Sequence, residues 1–379
     1  MRVVLWGTYD IGKPRIRIMR RGLLDNGVEV IECHREVWRN VEDKSQLKGW
    51  IRMLFIVSRW LLSYPWLIVC FLRAPKHDAV VVGYMGVVDV LVLWPFAKVR
   101  GIPIVWDAFL SLYNTVVEDR RMAAQRSPAA RFLYAIEWMA CRAADRVVLD
   151  TRAHADYFVE TFGLPARRSA VVWVGAEPEV FPSTMDDVLS DVDEKVVLFY
   201  GQFIPLHGIE TIICAARKVR DEPFRWVLIG SGQEEGRIRE LLDQSPLPRL
   251  EWLPWVPYRD LSHWIRRADV CLGIFGDTDK AARVIPNKVF QILSSGKPLI
   301  TQDSPAIREL LGDGMHGIRL IPAADAEALA VAVRESIEDS CGAGLYSAIR
   351  AKLSPEFIGR QLVDVIHLVA KDREHHAVS

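Results

Sequence analysis

The sequence predicts an α/β protein of two domains, each built from repeated strand–loop–helix units. Three observations lead there. Short apolar runs such as Val3–Trp6, Ala79–Gly83 and Val196–Tyr200 alternate with longer segments whose apolar residues recur at helical spacing. Glycine-bearing loops follow several of these runs, at the carboxyl ends where α/β sheets hold ligands. A polar, acidic stretch without periodicity, residues 182–194 (PSTMDDVLSDVDE), divides the chain. A length of 379 residues fits two domains.

In the first domain, Val3–Trp6 reads as a buried strand and Gly7 to Arg15 as a loop. Ile16, Met19, Leu23 and Leu24 then mark a helix that stops at Asn26-Gly27, before a strand over Val28–Cys33. The loop is not a GxGxxG, so a nicotinamide dinucleotide site is not indicated. Residues 48–76 are the unusual stretch. Met53 to Leu72 is mostly apolar and nominally long enough for a membrane span. Arg59 and Pro65 interrupt it, Trp50, Trp60 and Trp66 are interleaved, and Lys48, Arg52, Arg73 and Lys76 flank it. This reads as a monotopic helix pair dipping into a membrane leaflet; a helix packed inside the domain and a true span are the alternatives. Ala79–Gly83 and Ile102–Trp106 are further strands, separated by a helix over Val87–Val99. Asp107 follows at a strand end, as a helix or loop cap or as a carboxylate for chemistry. A helix over Phe132–Ala144, a strand over Arg146–Leu149, a helix over Thr151–Phe162 and a strand over Val171–Val174 complete this half.

The second domain repeats the pattern. Val196–Tyr200 leads into a loop from Gly201 to Gly208. Trp226–Ile229 ends on Gly230-Ser231-Gly232, and a helix over Glu234–Leu242 follows. After Leu250–Leu253 comes Trp255, either a platform for a base or a core residue. Residues 271–303 organise the domain: an apolar strand end, a polar loop, a helix opening near Pro286, and a Gly-Lys-Pro turn into another apolar run. A proline in the first helical turn loses no helix bond. The amides of Asn287 and Lys288 then point into the loop, and with Lys288 and Arg283 beside them they suit a phosphate.

Ser294-Ser295-Gly296-Lys297-Pro298-Leu299-Ile300 resembles the end of the donor-binding segment in GT-B glycosyltransferases of family 4, and Ile285-Pro286-Asn287-Lys288 is similar to one branch of it. The resemblance covers nearly the whole chain. It implies two Rossmann-like domains facing a cleft: an acceptor domain at 1–181 carrying the 48–76 segment, the linker at 182–194, a donor domain at 195–353, and a terminal helix at 354–379 packing back on the first domain. It implies transfer of a sugar from a nucleotide-sugar, with retention, and no metal or other cofactor. Gln202, His207, Gly230, Gly232, Trp255, Arg283, Asn287, Lys288 and Gln291 are the implied donor-binding positions. Gly7, Arg15, Ser111 and Tyr113 are the implied acceptor-side positions, and Asp107 is the best carboxylate for catalysis.

Several positions depart from the family pattern. Phe109 stands where many members carry His, Arg283 and Gln291 where two Glu are usual, and Gln202 and His207 where an Arg and a Lys hold the diphosphate. These departures leave room for a non-catalytic scaffold subunit or a sugar-nucleotide epimerase of the same fold.

Charge and cysteine usage bound the partners. The net charge is zero, which argues against nucleic acid. Residues 1–180 hold 25 basic and 19 acidic residues, whereas the remainder holds 23 and 29. A basic first half suits an anionic membrane surface. The six cysteines are scattered without a CxxC, so neither a disulfide framework nor a zinc site is indicated. With no secretory h-region near Val3–Trp6, these features point to the cytoplasmic face of a membrane and to a glycan or lipid-linked acceptor, in envelope or exopolysaccharide assembly.

Overall fold

The computed structural model describes residues 1–37, 50–183, 194–339 and 346–378, with the side chains at 50–53 and 373–378 excepted. Most of the expected linker lies outside these residues. The chain forms two compact units, Met1–Val174 with Pro355–Ser379, and Gly175–Ser354.

The first unit holds β1 (Arg2–Gly7), α1 (Pro14–Asp25), β2 (Glu29–His34), α2 (Trp50–Arg73), β3 (Ala79–Val82), α3 (Val87–Arg100), β4 (Ile104–Asp107), α4 (Pro128–Ala143), β5 (Arg146–Leu149), α5 (Arg152–Phe162) and β6 (Ser169–Val171). Its sheet is parallel, in the order β2-β1-β3-β4-β5-β6. Strands buried on both faces need unbroken apolar runs, which Val3–Trp6 and Ala79–Val82 supply. One face packs against a core shared with α2, α3, α4 and α5. The other packs against α1 and the terminal helix, Pro355–Val378, through Ile16, Met19, Ile358 and Leu362. Gly22 and Gly359 let those two helix backbones touch, since a Cβ on either would strike the other chain segment.

The stretch expected as a helix pair is one helix. Tyr64, Leu67 and Phe71 turn inward at helical spacing, and the Trp6 indole donates to Leu67 O at 3.1 Å. Pro65 lies on the exposed side, so the carbonyl that loses its helix bond faces outward and the helix continues through it.

The second unit holds β7 (Lys195–Tyr200), α6 (Ile209–Lys218), β8 (Phe224–Ile229), α7 (Glu235–Gln244), β9 (Leu250–Leu253), α8 (Leu261–Arg267), β10 (Val270–Leu272), α9 (Asp279–Arg283), α10 (Asn287–Ser294), β11 (Leu299–Gln302), α11 (Pro305–Leu311), β12 (Ile318–Ile321), α12 (Ala326–Glu338) and α13 (Ser347–Leu353). Its sheet is parallel, in the order β12-β11-β10-β7-β8-β9. Residues 175–181, assigned to the first domain from sequence, lie in this unit instead. Hydrogen bonds hold them there: Ala176 N to Leu353 O at 2.9 Å, Tyr258 OH to Glu177 Oε2 at 2.7 Å, and Ser294 Oγ to Phe181 O at 2.9 Å.

Candidate functional site

In the second unit the winding reverses between β7 and β10. The chain lays β8 and β9 on one side of β7, then returns to place β10, β11 and β12 on the other. Crevices at the carboxyl ends of such strands are where doubly wound sheets take ligands. Here the loops after β7 and β10 interlock. Gly208 has φ 63°, and a Cβ there would lie 2.6 Å from the Phe275 carbonyl carbon; a Cβ on Gly276 would lie 2.6 Å from Leu206 O. Only glycine allows that approach.

Lys288 points into this crevice from the first turn of α10. Its residue is 5% exposed, and its Nζ lies 3.7 Å from the centroid of the Phe199 ring at the end of β7. A Cβ on Gly201, which has φ 148°, would sit 2.8 Å from Lys288 Nζ and 3.0 Å from His207 Cε1. The lysine and the histidine therefore meet over the bare face of Gly201. Among the described residues Lys288 Nζ has no hydrogen-bond partner. Burial pushes its pKa well below the usual lysine value. The ring below offers a cation–π contact, but no described carboxylate answers the charge.

His207 is buried, and its Nδ1 donates to the Gln202 carbonyl, which fixes the ring. Gly230, with φ 152°, crosses Gly201 so closely that a Cβ would overlap Gly201 O; a Cβ on Gly232 would meet Phe203 O at 2.6 Å. Asn287 opens α10 behind Pro286, whose extended backbone makes it the capping residue, one place earlier than the sequence suggested. Of the leading amides of α10, Val289 N donates to Pro286 O at 3.0 Å.

Three other expected donor positions sit differently. Gln291 is held by protein groups: its Oε1 accepts from Tyr200 OH at 3.0 Å and its Nε2 donates to Tyr258 OH at 3.3 Å, in a partly buried chain that ends on Glu177. Arg283 lies in α9, a short helix within the stretch expected to be a polar loop, and its Nε donates to Asp279 O at 2.9 Å. Trp255 is 59% exposed, so it is not core.

In the first unit the expected acceptor-side residues are mostly spent on one another. Asp107 and Arg15 form a buried pair: Arg15 Nη2 donates to Oδ1 at 2.6 Å and Nε to both oxygens at 2.9 and 3.0 Å, while Nη1 donates to Val172 O at 3.1 Å. Each side chain is 1% exposed. Burial raises the Asp107 pKa, against the pull of Arg15. A carboxylate fully engaged by a guanidinium is not a catalytic base facing substrate, so the sequence assignments of Asp107 and Arg15 are corrected to a structural pair. Phe109 closes it, with its ring centroid 4.5 Å from Arg15 Cζ. Ser111 is also internal, donating to Glu137 Oε2 at 2.9 Å and accepting from Asn114 N at 3.0 Å. The Tyr113 amide donates to the same carboxylate at 2.9 Å, and its ring packs edge-on to Tyr134.

Gly7, with φ 131°, sits where this sheet reverses, between β1 and β3. A Cβ there would be 2.5 Å from Asp89 Oδ2. Asp89 accepts from Thr8 N at 2.7 Å and Tyr64 OH at 2.7 Å, and Trp60 Nε1 donates to Thr8 Oγ1 at 3.0 Å. Sequence reasoning missed Asp89 and Glu137, although an isolated acid in an otherwise apolar helix was the signal available. Among the described residues no three His, Cys, Asp or Glu side chains gather as metal ligands would.

Comparison with known proteins agrees with this architecture. Residues 194–339 match the family described as glycosyl transferases group 1. The chain is 26% identical over 147 residues to the putative colanic acid biosynthesis glycosyl transferase WcaI of Escherichia coli K12, covering 38% of this chain and 36% of that protein. It is 26% identical over 226 residues to the chitobiosyldiphosphodolichol beta-mannosyltransferase of Eremothecium gossypii, covering 51% of this chain and 46% of that protein. The matched regions thus span half or less of these relatives. Among solved structures, Anabaena HepE in complex with UDP aligns with a TM-score of 0.66 at 15% identity, covering 97% of this chain and 99% of that one. Sucrose-phosphate synthase from Thermosynechococcus elongatus aligns with a TM-score of 0.67 at 16% identity over 100% of both chains. With its two parallel six-stranded sheets, the chain has the two-domain α/β fold called GT-B.

Proposed function

We propose that this protein is a retaining glycosyltransferase of the family 4 type, moving a sugar from a nucleotide-sugar to a glycan or lipid-linked acceptor at the cytoplasmic membrane face. One observation carries the reading: the buried Lys288 ammonium at the β7/β10 reversal, without an acceptor among the described residues. A donor diphosphate is the group that answers it. Its oxygens would accept from Lys288 Nζ and the leading α10 amides, with His207 beside them. A bound diphosphate would favour the protonated form of Lys288, so charge building on the leaving group would meet a positive group held beside it, which lowers the barrier without a metal or other cofactor. Trp255, Gly230 and Gly232 would serve the nucleotide part. The names of the relatives, which include colanic acid biosynthesis glycosyl transferases, support a role in polysaccharide assembly.

A second reading, a sugar-nucleotide epimerase or a non-catalytic subunit of the same fold, draws on the engagement of Asp107 by Arg15, which removes the carboxylate expected to act. Product analysis with and without acceptor separates transfer from epimerisation.

The test is thermal stabilisation by a panel of nucleotide-sugars, beginning with UDP-sugars because HepE is seen with UDP-glucose. A ligand that binds only the folded protein raises its melting temperature as its concentration rises. The expected result is a shift with at least one donor that disappears in Lys288→Met. No shift with any donor, or an equal shift in the variant, overturns the reading.

A further inference from the structure

The right-handed crossovers of the first unit place α2, α3, α4 and α5 on one face of its sheet, opposite α1 and the terminal helix. Three of those four helices share an unusual outer surface. Of the 21 exposed large apolar residues among those described, 14 lie on α2, α3 and α4, so the apolar surface is concentrated there rather than scattered. The most exposed are Leu62 (76%) and Phe55 (65%) on α2, Val99 (88%) on α3 and Phe132 (63%) on α4.

The exposed charges among the described side chains of these helices have one sign. Arg73, Lys98, Arg100, Arg131 and Arg142 are exposed, and none pairs with a described carboxylate. The acids on the described parts of the same helices, Asp89 and Glu137, are 2% and 0% exposed and face inward. The pattern stops at α5, which exposes Asp156 and Glu160. On the opposite side of the sheet the arginines are neutralised: Arg20 pairs with Glu32 at 2.6 Å and Arg21 with Asp25 at 2.7 Å. Two tryptophans of the outer face lie beside cations, Trp94 with Lys98 Nζ 5.0 Å from its ring centroid and Trp138 with Arg142 Cζ at 3.6 Å.

We propose that the outer side of α2, α3 and α4 together is a docking face for an anionic lipid bilayer. The chemistry matches that occupant in both parts. Large apolar side chains enter the headgroup boundary, indoles settle at the interface, and long basic side chains reach anionic headgroups. An acidic protein is the rival occupant, since four of the five cations are arginine, and binding to pure lipid vesicles decides between them. A membrane span is excluded for α2. Among the described residues it is the one helix long and apolar enough to cross, but Tyr64, Leu67 and Phe71 are packed in the core of the unit. The face extends the membrane part of the proposed function from one helix to three and uses none of the donor-site residues.

The test is co-sedimentation of the full chain with vesicles of phosphatidylcholine alone and of phosphatidylcholine with phosphatidylglycerol. The wild type is expected to bind the anionic vesicles more strongly than the neutral ones, and less as salt rises. Arg131→Gln on α4 should weaken partitioning about fivefold, as expected for one basic group near an anionic surface. Val99→Glu on α3 and Leu62→Glu on α2 should weaken it further. The proposal is overturned if the wild type ignores anionic vesicles, or if the α3 and α4 variants bind as well as wild type. It is also overturned if the same substitutions instead abolish a self-associated form seen by sedimentation velocity. Each variant is also tested for stabilisation by a nucleotide-sugar. Lost vesicle binding with an intact donor response confirms folding and leaves the proposed function standing. Intact vesicle binding with no donor response counts against the donor site alone.

Discussion

The two sheets reverse their winding once each, and the two reversals are finished differently. At the first, between β1 and β3, the space beside Gly7 is filled by the protein's own groups. Asp89 takes bonds from Thr8 and Tyr64, and across the same sheet Arg15 and Asp107 neutralise one another. At the second, between β7 and β10, the loops leave the Lys288 ammonium buried over Phe199 with nothing described to accept from it. A buried charge without a partner costs several kcal/mol. The first reversal therefore reads as structure, and the second carries the anion site proposed above. Charged residues at strand ends identify a ligand site only when the protein itself leaves them unanswered.

The largest expected effect comes from breaking the pair that is answered. Arg15→Leu leaves Asp107 buried and uncompensated and should cost about 3–5 kcal/mol of stability by chemical denaturation. A loss under ~1 kcal/mol would mean that the pair is not what holds that region. Next is Lys288→Met, with the opposite sign. Removing an unanswered buried charge should stabilise the free protein by about 1–3 kcal/mol while donor binding is lost. The pH dependence follows. Between the lowered pKa of Lys288 and the ordinary lysine value, the unfolded chain binds a proton that the folded chain does not, so wild-type stability rises with pH across that window. The variant should lack that rise. A variant that is less stable than wild type at neutral pH would place Lys288 on the same footing as Arg15 and end the contrast. The smallest effect on stability belongs to Trp255→Ala: within ~0.5 kcal/mol of wild type, since the side chain is exposed. Nucleotide affinity should nevertheless fall by ~1–3 kcal/mol if the indole stacks on the base, which isothermal titration would read directly.

Most of the strands and helices were legible because they are written locally. An unbroken apolar run of four to six residues suits a strand covered on both faces, helical spacing marks the covering helices, and glycine with positive φ marks the turns at Gly201, Gly208 and Gly230. Lys288 was legible for the same reason, as a basic residue following a proline at a helix start. The fate of the other candidates was not. Asp107 and Arg15 are 92 residues apart, and only the pairing of β1, β3 and β4 brings them within reach. Gln291 meets Tyr200 and Tyr258, which come from separate strand ends. The outward turn of Leu62 and Phe55 depends on which side of α2 meets the sheet. Sequence by itself determined the elements, their order and the residue types at each strand end, because backbone propensity and side-chain period act over a few neighbours. Tertiary structure alone decided which buried charges neutralise each other and that Lys288 is left unanswered among the described residues, because a charge is satisfied by whatever the fold brings within about 3 Å of it, however distant in the chain.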